Sequence, residues 1–113
     1  MSSRLAQVAI DATDAEVVAA FWCVVLGWVV LDREDGVVCF GPASGGPGID
    51  VLPVPQTKAG KNRLHLDLRA DGDRADELER LLSLGAQRVD VGQAPDVTWT
   101  VLADPEGNVF CLL

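Results

Sequence analysis

A strand, a helix and three short strands are predicted twice in succession, and this repeat constrains the fold more than any other feature of the sequence. In the first half, residues 5–12 alternate between polar and apolar side chains, as a strand does. Apolar residues then recur every three or four positions from Val17 to Val25, which predicts a helix that ends at Gly27. Three strands are expected after it, at residues 28–32, 37–40 and 49–54.

The second half repeats this order. Residues 63–70 alternate, Asp73 is the expected N-cap of a second helix, and Gly85 is expected to end that helix. The two Leu-Gly pairs at the helix ends are 58 residues apart, and the same offset carries Gln7 onto His65. The remaining strands are expected at residues 86–91, 97–103 and 108–113.

Three local features follow from residue type alone. Thr13 and Glu16 have the spacing of a capping box, which predicts that Thr13 begins the first helix. The run Asp104 to Gly107 predicts an acidic, exposed turn between the last two strands. Prolines and polar residues between about 55 and 62 predict the connection between the two halves.

The fold class that follows is α+β, with two βαβββ modules at about residues 4–55 and 62–113 of one domain, residues 1–113. The net charge of −8 disfavours nucleic acid and anionic membrane surfaces as partners. No secretory signal or membrane span is visible, so we expect a cytoplasmic protein. The three cysteines form no pattern typical of disulfides, which agrees with a reducing compartment.

Three stretches of the chain resemble one known superfamily. These are DAEVVAAFWCVVLGW at residues 14–28, NRLHLDL at residues 62–68 and LADPEGNVF at residues 102–110. They are similar to the glyoxalase/bleomycin-resistance/dioxygenase proteins, also called the vicinal oxygen chelate superfamily. The resemblance implies a curved mixed sheet around a cavity, helices on the outer face, and a homodimer. It does not imply one reaction, because members of this superfamily differ in function.

The resemblance also implies where a metal ion would bind. Ligands in metal-using members come from the first and fourth strands of each module, which gives Gln7, His65, Cys111 and either Asp50 or Leu52 here. A divalent ion of the Zn, Ni or Fe type could accept such donors. Cys111 stands where a glutamate is usual, and Leu52 would supply no donor, so we expect no essential metal cofactor.

His65 is the only histidine and therefore the best candidate for a catalytic residue. Leu64, Leu66 and Leu68 are expected to form the core face of its strand, which leaves His65 and Asp67 facing the cavity. Asp67 either orients the imidazole or pairs with a basic side chain.

Two further residues have open roles. Trp99 is either an aromatic wall of the ligand pocket or part of the core. Cys111 either packs in the interior or acts as a nucleophile, and its sequence neighbours include no basic residue that would lower its pKa.

Three hypotheses of function follow. The first is a domain that binds a small organic molecule in the cavity between the modules, without an essential metal. The second is a metal-dependent lyase or dioxygenase, and the third is a non-catalytic dimeric domain that regulates or binds a partner. The ligand-binding candidates are Gln7, Asp50, His65, Asp67 and Trp99.

Overall fold

The structure, a computed structural model, describes all residues from 1 to 113. It confirms the α+β class with two modules, because it contains two helices and two four-stranded mixed sheets. The chain divides into two compact units, Met1–Thr57 and Lys58–Leu113, which we name unit 1 and unit 2. Neither helix has the length and hydrophobicity that a membrane crossing would need.

Unit 1 contains one helix and four strands in the predicted order. Strand β1 is parallel to β4, and β4, β3 and β2 follow one another as antiparallel neighbours. The elements are β1 (Gln7–Ala12), α1 (Ala15–Leu26), β2 (Val29–Glu34), β3 (Val37–Gly41) and β4 (Gly48–Pro53).

The core of unit 1 lies where α1 packs on β3 and β4. Trp22 of α1 is 1% exposed, so it lies within this core. Burial of each large apolar side chain contributes roughly 1.5–3 kcal/mol. The other buried apolar residues of these elements include Val18, Phe21, Val25, Val38, Phe40, Ile49 and Val51.

The predicted capping box at the start of α1 is wrong. Asp14 is the N-cap, and its carboxylate accepts a hydrogen bond from the backbone N–H of Val17 at 3.2 Å. Glu16 instead forms an ion pair with Arg33 of β2, at 2.8 Å between Oε1 and Nε. Aspartate and threonine are both favoured N-cap residues, so the sequence alone does not distinguish Asp14 from its neighbour Thr13. The helix ends as predicted, at Gly27 in the left-handed conformation.

Unit 2 repeats the topology with shorter strands. Strand β5 is parallel to β8, and β8, β7 and β6 are antiparallel neighbours. The elements are β5 (Leu66–Leu68), α2 (Arg74–Ser83), β6 (Gln87–Arg88), β7 (Thr100–Ala103) and β8 (Val109–Leu112). Buried apolar residues of this unit include Leu81, Ala86, Leu102, Phe110 and Leu112.

The strands of unit 2 are shorter than their sequence pattern predicts. Strand β5 begins only at Leu66, its first residue opposite β8, so Leu64 lies outside the sheet and is 90% exposed. The expected core role of Leu64 is therefore wrong. Residues 89–99 form no strand: Gly92 has a positive φ, and Pro95 has no N–H to give to a ladder.

The turn before β8 is not the exposed acidic turn that its residue types predict. Asp104 is only 3% exposed, and its Oδ1 accepts hydrogen bonds from the backbone N–H groups of Glu106 and Asn108, each at 2.9 Å. The side-chain amide of Asn108 donates to Oδ2 at 2.8 Å. These donors satisfy the buried carboxylate, so Asp104 holds the turn together from inside.

Candidate functional site

In unit 1, the first and fourth strands bring Gln7 and Asp50 together. The side-chain amide of Gln7 donates a hydrogen bond to Asp50 Oδ2 at 2.5 Å. Cys39 of β3 is the register partner of Asp50, and its thiol also bonds to that carboxylate. This bond, followed by burial and nearby carboxylates, raises the pKa of Cys39. Because neighbours Ile49 and Val51 are buried, alternation puts Asp50 on the opposite face of the sheet.

Strand register distinguishes the two candidates, Asp50 and Leu52, for the fourth-strand position. In unit 2, Cys111 pairs with Asp67; in unit 1, Asp50 pairs with Ala9. Ala9 and Asp67 are related by the same 58-residue offset that relates Gln7 to His65. Asp50 is therefore the structural equivalent of Cys111, and Leu52 lies two residues further along.

In unit 2, three chemically different side chains lie close together at the start of β5 and on β8. His65 directly precedes β5, and its Nδ1 is 2.9 Å from Oδ1 of Asp67. One ligand atom from each of His65, Asp67 and Cys111 lies within 4.8 Å of the other two. Of the two roles that the sequence left open for Asp67, contact with the imidazole is the one that the geometry shows.

Cys111 is buried beside this carboxylate. It is 5% exposed, and burial is the main cause that raises the pKa of its thiol. The charge of Asp67 and a hydrogen bond to it raise that pKa further, while the positive charge of Lys61 lowers it. A thiol with a raised pKa is a poor nucleophile, which favours packing over nucleophilic catalysis for Cys111.

The three residues border a pocket with a volume of about 450 Å³. The apolar part of its lining includes Trp99, and the polar groups include Lys61, His65 and Asp67. Trp99 is 42% exposed, so its ring forms a partly open wall. The full lining, all from unit 2, is Lys61, His65, Asp67, Val91, Gly92, Gln93, Trp99, Val101, Val109, Cys111 and Leu113.

Sequence reasoning missed two polar residues of this pocket, Lys61 and Gln93. Gln93 shapes one wall, because its Oε1 accepts a hydrogen bond from the N–H of Val91 at 2.8 Å. No periodic pattern marks that segment, since it forms neither helix nor strand. The sequence does contain a weak indication for Lys61. The chain is acidic and has only two lysines, Lys58 and Lys61, and both lie within seven residues before His65, so a cation near His65 could have been expected.

The donors present fit a zinc-type ion better than magnesium or calcium. Imidazole, carboxylate and thiolate together are typical ligands of zinc and related transition metals, whereas magnesium and calcium prefer oxygen alone. In unit 1, Gln7 and Asp50 supply only oxygen donors, and the Gln7 amide already bonds to the carboxylate.

Comparison with known families gives one match along most of the chain. A family model described as Glyoxalase-like domain matches residues 7–113. A search of curated proteins finds no match.

Several solved structures share the fold at low sequence identity. A glyoxalase/bleomycin resistance protein/dioxygenase family enzyme from Burkholderia phytofirmans PsJN superposes with a TM-score of 0.76 at 20% identity, covering 97% of each chain. A glyoxalase-related enzyme from Fulvimarina pelagi gives 0.71 at 18% identity, over 98% of this chain and 87% of that one. The antibiotic binding protein TnmS3 from Streptomyces sp. CB03234 gives 0.66 at 21% identity, over 98% of this chain and 94% of that one.

Proposed function

The chain belongs to the glyoxalase-like domain family, and from that premise we propose that it binds a small, mainly apolar organic molecule in the pocket of unit 2. The metal-dependent lyase or dioxygenase, the cavity between modules and the homodimer stay predictions.

The pocket itself is the observation that carries this proposal. Its volume of about 450 Å³ lies within the range of roughly 300–1,000 Å³ that is usual for small-molecule sites. Val101 and Cys111 form an almost fully buried floor, while Trp99 leaves an aromatic surface partly open to solvent. An apolar ligand would cover that surface, and stacking on an aromatic ring adds about 0.5–1.5 kcal/mol to the burial of its area.

The polar groups of the pocket would orient the bound organic molecule. His65 and Asp67 already bond to each other, so a ligand with one hydroxyl or carbonyl group can join that pair without leaving a charge unpaired. Lys61 adds a cation to the pocket lining. These contacts require no metal ion. One structural relative is named as an antibiotic binding protein, which agrees with a binding role for this fold.

The test is isothermal titration of the protein with 2-naphthol, a neutral aromatic alcohol, in the presence of a chelator. We expect saturable binding of one molecule per chain. Val109→Phe should weaken it at least about tenfold, the equivalent of 1.4 kcal/mol, because half-buried Val109 lines the pocket and a larger side chain would occupy it.

The matched control is Val30→Phe, which makes the same substitution at a 41% exposed position on β2 of unit 1. We expect it to leave naphthol binding unchanged. Absence of saturable binding, or an equal loss in both variants, would contradict the proposal.

A further inference from the structure

We propose that the pocket of unit 2 selects organic acids: its preferred ligand is an aromatic ring with one carboxylate group, and Lys61 binds that carboxylate. The inference rests on the proposed function, because it names the chemical class of the molecule that this pocket takes. It assigns the specificity to a residue outside the strands, in the segment that precedes His65.

Lys61 is the only lysine or arginine in the pocket lining, and its charge has no acidic partner. Its Nζ donates a hydrogen bond to the backbone carbonyl of Asn62 at 3.2 Å. No carboxylate oxygen lies within 4.0 Å of it, the limit for an ion pair. A neutral carbonyl does not balance a full positive charge, so an anionic group on a ligand gives this ammonium a stronger partner.

The residue next to Lys61 anchors this end of the segment to the sheet. The half-buried side chain of Asn62 accepts a hydrogen bond from the backbone N–H of Val109 at 3.0 Å. Val109 itself lines the pocket, so Lys61 is one residue away from an anchor in the pocket wall. The flexible stem of the lysine then needs only to rotate for the ammonium to contact a ligand.

The positive charge of Lys61 acts inside the pocket. Burial and Asp67 raise the pKa of the Cys111 thiol, which lines the pocket, and the ammonium of Lys61 acts against both. Lys61 therefore favours a negative charge at this place, and a ligand carboxylate gains from the same attraction. The surrounding sequence strengthens it, since residues 51–66 contain three of the nine basic residues and no acidic one, in a chain of net charge −8.

Asp67 limits the ligand to one negative charge. The imidazole of His65 is 2.9 Å from its Oδ1, and the thiol of Cys111 also bonds to this carboxylate. Its oxygens are thus engaged with groups other than Lys61, while its charge still repels further anions. A monocarboxylate balances the one unpaired cation, whereas a phosphate ester would bring a second charge that has no partner.

The apolar lining determines the rest of the ligand. Trp99 is 42% exposed, and Val101 and Val109 line the same pocket. A flat aromatic ring can cover these surfaces and stack on the indole. Its carboxylate lies at the edge of the ring, where a flexible ammonium can reach it. A small acid such as acetate has the charge but no apolar area, so it should not bind.

The experiment compares 2-naphthoate with 2-naphthamide, its neutral isostere, by isothermal titration of chelator-treated, dialysed protein at low ionic strength. We expect naphthoate to bind about fivefold more tightly, the gain from one cation–carboxylate contact near solvent. Lys61→Gln should reduce this preference to about twofold or less, and Lys61→Arg should keep it because the cation is retained. Lys58→Gln, the matched control, removes the same charge from a lysine outside the pocket lining and should keep the preference.

Two further measurements sharpen the test. Added NaCl should weaken naphthoate binding and leave naphthamide binding unchanged, because Lys61 is exposed to solvent and its field is screened. The compound 2-naphthyl phosphate should bind no more tightly than naphthoate. Circular dichroism should show an unchanged fold in each variant.

Equal affinity for naphthoate and naphthamide, a full preference in Lys61→Gln, or an equal loss in Lys58→Gln would overturn the inference. Tighter binding of the phosphate would overturn the limit to one charge. If 2-naphthol binds without any preference for naphthoate over naphthamide, this inference fails and the proposed function stands. Absence of saturable binding by all of these aromatic compounds would contradict both.

Discussion

Unit 1 and unit 2 share one strand order, but their thiols stand at different places in it: Cys39 is on the third strand of unit 1, and Cys111 is on the fourth strand of unit 2, where it borders a pocket with an exposed aromatic ring. Gln7, Asp50 and Cys39 form one hydrogen-bonded set, and His65, Asp67 and Cys111 form the other. The comparison shows that a repeated strand order does not fix where polar side chains stand, and that the imidazole of His65 is a group that unit 1 lacks.

The largest expected effect tests whether each unit depends on its own packed core. Trp22→Ala in unit 1 should lower the free energy of unfolding by about 3–5 kcal/mol, and Leu81→Ala in unit 2 by about 2–5 kcal/mol, because each leaves a cavity where the side chain was fully buried. Urea denaturation measures both. Val17→Ala, on the exposed side of α1, is the control and should change stability by less than about 0.5 kcal/mol. An equally small effect in either core variant would contradict the burial described here.

The buried turn of unit 2 provides the next effect. Asp104→Ala should destabilise the protein by about 1–3 kcal/mol, because two backbone N–H groups and the amide of Asn108 lose their acceptor. The shift in the urea midpoint reports it. Asp71→Ala is the control, since Asp71 is an exposed carboxylate of the same unit. Equal urea midpoints for the two variants would contradict the buried, hydrogen-bonded state of Asp104 and would support the exposed turn that the sequence predicts.

The smallest effect concerns the helix starts, where the units are alike. Asp14→Ala and Asp73→Ala should each cost about 1 kcal/mol, because both carboxylates accept a hydrogen bond from a backbone N–H of the first turn. Thermal unfolding should show similar shifts in the two variants. An unchanged melting temperature in Asp14→Ala would contradict Asp14 as the N-cap of α1 and would support Thr13, the residue that the sequence predicts.

Features that depend on local chemistry could be predicted from the sequence. The end of α1 at Gly27 and the N-cap of α2 at Asp73 follow from backbone preferences of those residue types. The second helix ends slightly earlier than predicted, with Leu84 as its C-cap, and Gly85 follows with a positive φ. The β5 alternation also anticipates that His65 and Asp67 share a side. Such patterns are visible in sequence because they involve neighbours one to four positions apart.

The remaining features depend on contacts between distant residues. The length of β5 is set by where β8 supplies partners, which is why the core role predicted for Leu64 is wrong. The pocket wall at Gln93 has no regular backbone, so no period marks it. The residue types around Asp104 are those of an exposed turn. Its burial depends on how the strands pack, and residue types alone do not reveal that packing.

The most direct test of binding in the unit 2 pocket is to locate bound 2-naphthol on the chelator-treated protein by intermolecular nuclear Overhauser effects. We expect effects from naphthol ring protons to the methyl groups of Val101 and Val109 and to the indole of Trp99. Effects confined to the exposed methyl groups of Val29 and Leu31 in unit 1, or none at saturation, would contradict binding in this pocket.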